Sequence, residues 1–345
     1  MRPLQFLIAA ALLAAAAPAA PIAPAPGGGV LHPAGRIGFG WADDLWKQSK
    51  FGWMSFVAFD PSGRQIASDG ATDPTDVDGT LSLWSFPAGK LIRKLPGRPI
   101  AIAPDWRYYA TTEGIRQMRD GTIVAPTTGT VHAAFVPHRE SAVVASWGDG
   151  PDPLMPRLVD LTTGRTVRGF GSHRAFALAV SPDGSLLAAG YWDSIALWDL
   201  RTGHLLATLR GMGRYVRSLA FSPDGRVLAA GSDLATLQLW DVHRRTLRRQ
   251  IELEGAQIST PAFSPDGRRV AAGTYGNGTA WLVDTRSGKV LGRAHVSGMG
   301  CGSVAFSPDG RHLITPSTGG LVTWPYDRGG TVRVFRVSPP PPTKG

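Results

Sequence analysis

Cysteine is almost missing from this chain: Cys301 is the only one in 345 residues, so no disulfide can form within it. A domain of about 300 residues buries enough core to need no such staple. Cys301 lies between Gly300 and Gly302, just ahead of Ser303–Phe306, and reads as a small buried apolar residue. Long apolar runs are lacking too. The longest, Phe6 to Ala17, is too short for a membrane span. No Gly-x-Ser-x-Gly elbow, phosphate-binding glycine loop or Cys-x-x-Cys occurs, which removes the commonest hydrolase, nucleotide and redox signatures. The histidines, His32, His132, His138, His173, His204, His243, His295 and His312, are scattered. No pair has zinc-ligand spacing with a third partner nearby, so neither a metal nor a cofactor is expected.

Acidic residues are the scarcer charge, 26 against 36 basic, for a net +10. The densest basic stretch is His243-Arg-Arg-Thr-Leu-Arg-Arg249. It could meet an acidic partner, but no nucleic-acid recognition motif accompanies it, and it reads as a solvated rim. What the chain has in quantity is turn chemistry, with 43 glycines and 28 prolines.

One pattern organises these turns. Leu178-Ala-Val-Ser-Pro-Asp-Gly184 is followed by Leu186-Leu-Ala-Ala-Gly190 and Ile195-Ala-Leu-Trp-Asp199. Leu219-Ala-Phe-Ser-Pro-Asp-Gly225, Val227-Leu-Ala-Ala-Gly231 and Leu237-Gln-Leu-Trp-Asp241 repeat it. The turn phrase returns twice more, so that Ser181, Ser222, Ser264 and Ser307 stand 41, 42 and 43 residues apart. Proline, aspartate and glycine set a tight turn, and the short runs between turns read as antiparallel strands. A period of about 40–45 residues is that of a propeller blade. One small sheet cannot bury both faces, so the sheets must stack into a ring.

Phe221-Ser-Pro-Asp-Gly225 and Leu239-Trp-Asp241 resemble the WD-repeat family of β-propellers. The resemblance is strong from Ala177 to Gly310 and fainter from Phe56 to Val337. It implies seven blades of four-stranded antiparallel sheet in a closed ring, acting as an interaction platform rather than an enzyme. The resemblance also implies a buried relay of histidine, aspartate, serine or threonine, and tryptophan. Here Asp193 precedes Trp198, and Asp233, with Ser232, precedes Trp240. The loop histidine is missing at the expected distance, so the relay is partial at best. Trp84 and Trp281 hold comparable strand positions, and Trp281 shares a strand face with Val283. In the second repeat Trp106 takes the place of the turn glycine.

Residues 1–19 resemble a secretory signal peptide, residues 20–35 an Ala/Pro/Gly-rich linker, 36–338 the propeller and 339–345 a Pro-rich tail. The expected location is therefore outside the cell or in the periplasm. Two closures are open. In one, Leu321–Trp324 and Thr331–Val337 both belong to blade seven. In the favoured one, Thr331–Val337 is the third strand, Pro316–Gly330 is a loop and the segment around Arg36–Lys50 adds the outer strand.

The loop Asp69–Gly79 offers Asp69, Asp73, Asp76 and Asp78 as weak calcium candidates, without the spacing of a known calcium loop. An acidic solvent loop is the plainer reading. Gly148–Pro156 is also expanded, and insertions on one face suggest a binding surface. Candidate contacts are Trp147, Asp149, Tyr191, Trp192, Tyr275 and Asn277. The expected function is a monomeric, non-catalytic module that binds another protein. The alternatives are a propeller hydrolase or lactonase with a site at a channel mouth, and an envelope glycan binder.

Overall fold

The computed structural model describes residues 31–38, 56–69, 79–146, 155–296, 300–317 and 331–338. It shows seven antiparallel sheets in a ring, and no helix among these residues is long and apolar enough to cross a membrane. Blade 5 shows the plan. Its inner strand is Val216–Phe221, followed outward by Val227–Ser232, Thr236–Asp241 and Thr246–Glu252. Blades 1 to 4 repeat this order. In blade 6 the inner strand is split into Gln257–Ile258 and Ala262–Phe263, both paired with Arg269–Tyr275.

The turns form as their residues dictate. The Ser222 hydroxyl donates to Asp224 at 2.6 Å, Arg226 N donates to the same carboxylate at 3.0 Å, and Val227 N closes on Ser222 Oγ at 2.9 Å. Gly225 supplies the left-handed φ of 70°. Trp106 and His138 adopt the same backbone at φ 58° and 59° without being glycine, a conformation that costs a bulky residue energy.

The ring closes by joining the two ends of the chain. Blade 7 runs Ala305–Phe306, His312–Ser317, Thr331–Val337, and finally Leu31–Gly38 as its outer strand. The favoured strand order therefore holds, but the outer strand starts at Leu31, shares only Arg36–Gly38 with the expected segment and overlaps the stretch read as linker, while Pro316 and Ser317 belong to the second strand rather than to a loop. The reason is packing. Leu31 pairs with Val337 and is buried with it and Phe335 in the seam between blades 6 and 7. Residues 39–55, with their five aromatics, and the alternative strand Leu321–Trp324 lie outside the described residues.

Each seam is apolar, and in four blades a tryptophan packs against the blade before it. Trp240 meets Ile195 and Leu197 of blade 4, and Trp281 meets Leu237 and Leu239 of blade 5. Trp84 meets Ile314, Val332 and Val334 of blade 7, and Trp198 stands edge-on to Phe170, 6.1 Å between centroids. Val283 is fully buried beside Trp281, so both pack inward. Cys301 is fully buried, 2.8 Å from Thr315 Oγ1, and burial pushes its thiol up to about 12.

The glycine that ends each Leu-Ala-Ala-Gly or Val-Ala-Ala-Gly run serves these seams by its lack of a side chain. A Cβ on Gly231 would stand 2.5 Å from Ile258 Cγ2 and from Ser218 Oγ; on Gly190, 2.6 Å from Val216 Cγ1; on Gly273, 2.5 Å from Cys301 Sγ. Gly231→Ala is therefore expected to lower stability by about 1–3 kcal/mol through overpacking, seen as a lower urea midpoint. An unchanged midpoint would show that the seam yields.

Candidate functional site

Inner strands of all seven blades surround a central cavity of about 610 Å³. Its wall is mostly apolar, with Phe56, Val57, Ile100, Ala101, Ala133, Ala177, Leu178, Leu219 and Val304. Polar groups gather among them: Arg98, Thr112, His132, Arg217, Thr260 and Ser303. Trp192 and Arg217 lie on the face where second strands turn into third strands and inner strands begin.

Two cations stand at this cavity in different situations. Arg98 Nε donates to Asp69 Oδ2 at 2.8 Å, and Asp69 Oδ1 accepts from Phe56 N at 2.7 Å. The Asp69 side chain is fully buried, so this carboxylate is committed to the entry of the inner strand and a cation rather than held open for calcium. Asp73, Asp76 and Asp78 lie outside the described residues. Arg217 sits at a register shift of its strand, between Val216, paired with Ser232, and Ser218, paired with Gly231. A bulge of this kind re-aims a side chain, and here it delivers Arg217 to the cavity. Its ion pair with Asp233 is long, 3.9 Å, and Asp233 Oδ1 is buried without a hydrogen bond.

Aromatic rings stand next to Arg217. Its guanidinium lies 4.5 Å from the Tyr215 ring centroid and 5.8 Å from that of Phe176. Tyr215 packs edge-on against Phe176 at 4.8 Å and against Trp192 at 4.1 Å. Trp192 is 57% exposed, the one exposed aromatic among the described residues. Deeper in the cavity is His132, whose imidazole is held down to about 4 by burial and by the charge of Arg217.

The other expected contacts are placed differently. Tyr191 is half-buried; its hydroxyl and the Trp198 ring would both lie within 3.4 Å of a Cβ on Gly171. Burial raises the titration of Tyr191 and of Tyr275. Asn277 is tied into its turn, accepting from Thr274 Oγ1 at 2.6 Å and donating to Glu254 O at 2.7 Å. Trp147 and Asp149 lie outside the described residues. In the basic stretch, Arg244 and Arg248 pair with Asp241, and Arg249 donates to Ser287 O.

The relay expected from Asp193 and Asp233 is not formed. Asp193 is exposed, and Trp198 Nε1 makes no hydrogen bond of regular geometry. Trp240 Nε1 donates instead to Gln238 Oε1 at 3.0 Å, while Ser232 Oγ accepts from Leu234 N and Thr236 N. The other two tryptophans use a hydroxyl on the neighbouring strand: Trp84 donates to Ser68 Oγ at 3.0 Å and Trp281 to Thr274 Oγ1 at 3.1 Å.

The family model for the WD domain, G-beta repeat, matches residues 164–199 and 203–241, which cover the blades around Trp198 and Trp240. This chain is a WD-repeat β-propeller. Among its curated relatives, the periodic tryptophan protein 2 homolog of Dictyostelium discoideum is 31% identical over 176 residues, 49% of this chain and 15% of the relative. The small ribosomal subunit protein RACK1y of Oryza sativa subsp. japonica is 36% identical over 88 residues, 21% of this chain and 26% of the relative. The guanine nucleotide-binding protein subunit beta of Arabidopsis thaliana is 28% identical over 200 residues, 53% of this chain and 43% of the relative. The WD-repeat propeller spans less than half the length of each. These relatives overturn the expectation of export: a ribosomal subunit protein and a G-protein subunit are proteins of the cell interior. The envelope-glycan reading falls with it.

The sequence pointed to Trp192 but not to Phe176, Tyr215, Arg217 or His132. The first three come together only because blades 4 and 5 are neighbours and the inner strand of blade 5 is bulged. No spacing within one repeat encodes that.

Proposed function

We propose that this WD-repeat propeller is a non-catalytic interaction module that binds a partner protein on the face carrying Trp192. The observation that carries this reading is the Trp192–Tyr215–Phe176 stack. A large ring left 57% exposed but backed by a second ring is a preorganised anchor of the kind that dominates protein interfaces. The WD-repeat relatives support the same coarse role. No three His, Cys, Asp or Glu side chains that could hold a metal ion come together among the described residues, so no observation favours the hydrolase reading.

The test is affinity capture with the full chain, mass spectrometry of the recovered protein, and titration of that partner against variants. Trp192→Ala is expected to weaken binding by about 30-fold, the loss of one interface hot spot. Leu247→Ala, on the outer rim of blade 5, is expected to leave it unchanged. Equal affinity of Trp192→Ala and the unaltered chain would reject this face.

A further inference from the structure

The chemistry around Trp192 narrows the partner. Two exposed arginines border the aromatic stack on the segment that leads into Tyr215: Arg210 at the end of the outer strand of blade 4, and Arg214 just before Tyr215. Among the described residues the carboxylates on this side are Asp193, Asp233 and Glu252, the last accepting from Thr236 Oγ1 at 2.8 Å, so the positive potential that matters is the local one at Arg217. Arg217 is restrained by stacking on Tyr215 rather than by a close carboxylate, since Asp233 stands at 3.9 Å. Its guanidinium therefore keeps most of its hydrogen-bonding capacity at the edge of a largely apolar cavity, where charge–charge attraction is weakly screened. His132 lines the same cavity and is neutral next to that cation, with a proton site to offer when negative charge arrives.

We infer that this quarter of the face docks an acidic peptide segment of the partner, one carboxylate entering the channel mouth between Arg217 and His132 while Trp192 and Tyr215 cover the flanking residues. The inference rests on the protein-binding reading above and deepens it by naming the chemistry of the bound segment. An anion alone would use Arg217 and His132 but not the exposed ring. A basic or neutral segment would use the ring but not Arg217. Only an acidic polypeptide uses both. The overall net charge of +10 would add steering to its approach.

The experiment is fluorescence anisotropy of the full chain with a labelled octaglutamate peptide, with octalysine as the opposite-charge probe. The decisive comparison is between two double variants that remove equal charge: Arg214→Ala with Arg217→Ala on this face, and Arg226→Ala with Arg311→Ala at turns on the opposite face. The first pair is expected to weaken octaglutamate by at least about ten-fold, and added salt to weaken it further. The second pair is expected to change it little. Circular-dichroism melting of both pairs separates loss of binding from loss of fold. In NMR, the His132 imidazole is expected to titrate at higher pH with the peptide bound than without it.

Equal weakening by both double variants would overturn the inference, since net charge alone would then explain binding. So would displacement of the peptide by an equal concentration of inorganic phosphate, or failure of octaglutamate to bind. If octaglutamate fails while the captured partner still depends on Trp192, the acidic segment is wrong and the protein-binding face stands. If both fail, both readings fall.

Discussion

Trp281→Ala is expected to destabilise the propeller by about 3–5 kcal/mol, the range for truncating a buried tryptophan. Three effects add. The ring fills the seam between blades 5 and 6 among Leu237, Leu239, Ile258, Val270 and Val283, and its removal leaves a cavity that β-sheet backbone cannot collapse into. Its N–H leaves the Thr274 hydroxyl, which is itself bonded to Asn277. Arg293 also loses the ring face it covers at 5.4 Å. Trp281→Phe keeps most of the apolar volume and removes the indole donor, so it is expected to cost roughly 1–3 kcal/mol. Urea denaturation of the two variants measures both. A loss below about 1 kcal/mol for Trp281→Ala would mean that the seams are far looser than close packing implies.

Acid is expected to weaken the fold through His132. Unfolded, its imidazole takes a proton near 6.5; folded, only near 4, because burial and Arg217 oppose the charge. The unfolded chain therefore binds more protons between these values. Stability is full above pH 6.5 and falls as the pH drops from there toward 4. The loss accumulated by pH 4 is at most roughly 3 kcal/mol, less to the extent that water in the channel screens the new charge. Subtracting the stability profile of His132→Gln from that of the unaltered chain isolates this contribution, since carboxylates titrate alike in both. Parallel profiles between pH 6.5 and 4.5 would show that the imidazole is solvated in the fold.

The ring was legible in the sequence because its signals are local. Ser222, Pro223, Asp224 and Gly225 form within five residues the turn that their chemistry demands, and their recurrence fixes the blade length. The burial of both Trp281 and Val283 followed from two-residue strand periodicity alone. The tryptophan partners were not legible, because a strand offers several polar neighbours on one face. Gln238 reaches Trp240 from two residues away on the same strand, while Thr274 reaches Trp281 from the strand alongside. Export was read from residues 1–19 by composition, and the WD-repeat relatives point to the cell interior instead. The placement of Arg217 beside the aromatic rings depends on its lying at a bulge. One extra residue in a strand leaves no mark on the repeat pattern, yet it decides which way a side chain faces.

Blade 7 also sets a timetable. Its outer strand, Leu31–Gly38, pairs with Thr331–Val337, so an early segment of the chain waits for one about 300 residues later, which at about 5–20 residues per second of synthesis means tens of seconds. Throughout that interval blades 1 to 6 can assemble in order, each seam sealed by the next inner strand, while the two flanks of the unfinished ring stay open. Those flanks present the unpaired faces of blades 1 and 6, including Trp84 and Leu282, to whatever is nearby. The hazard for this protein thus falls late in its synthesis, in a nearly complete arc. A nascent chain stalled there would be the species most prone to join a second copy of itself, edge to edge.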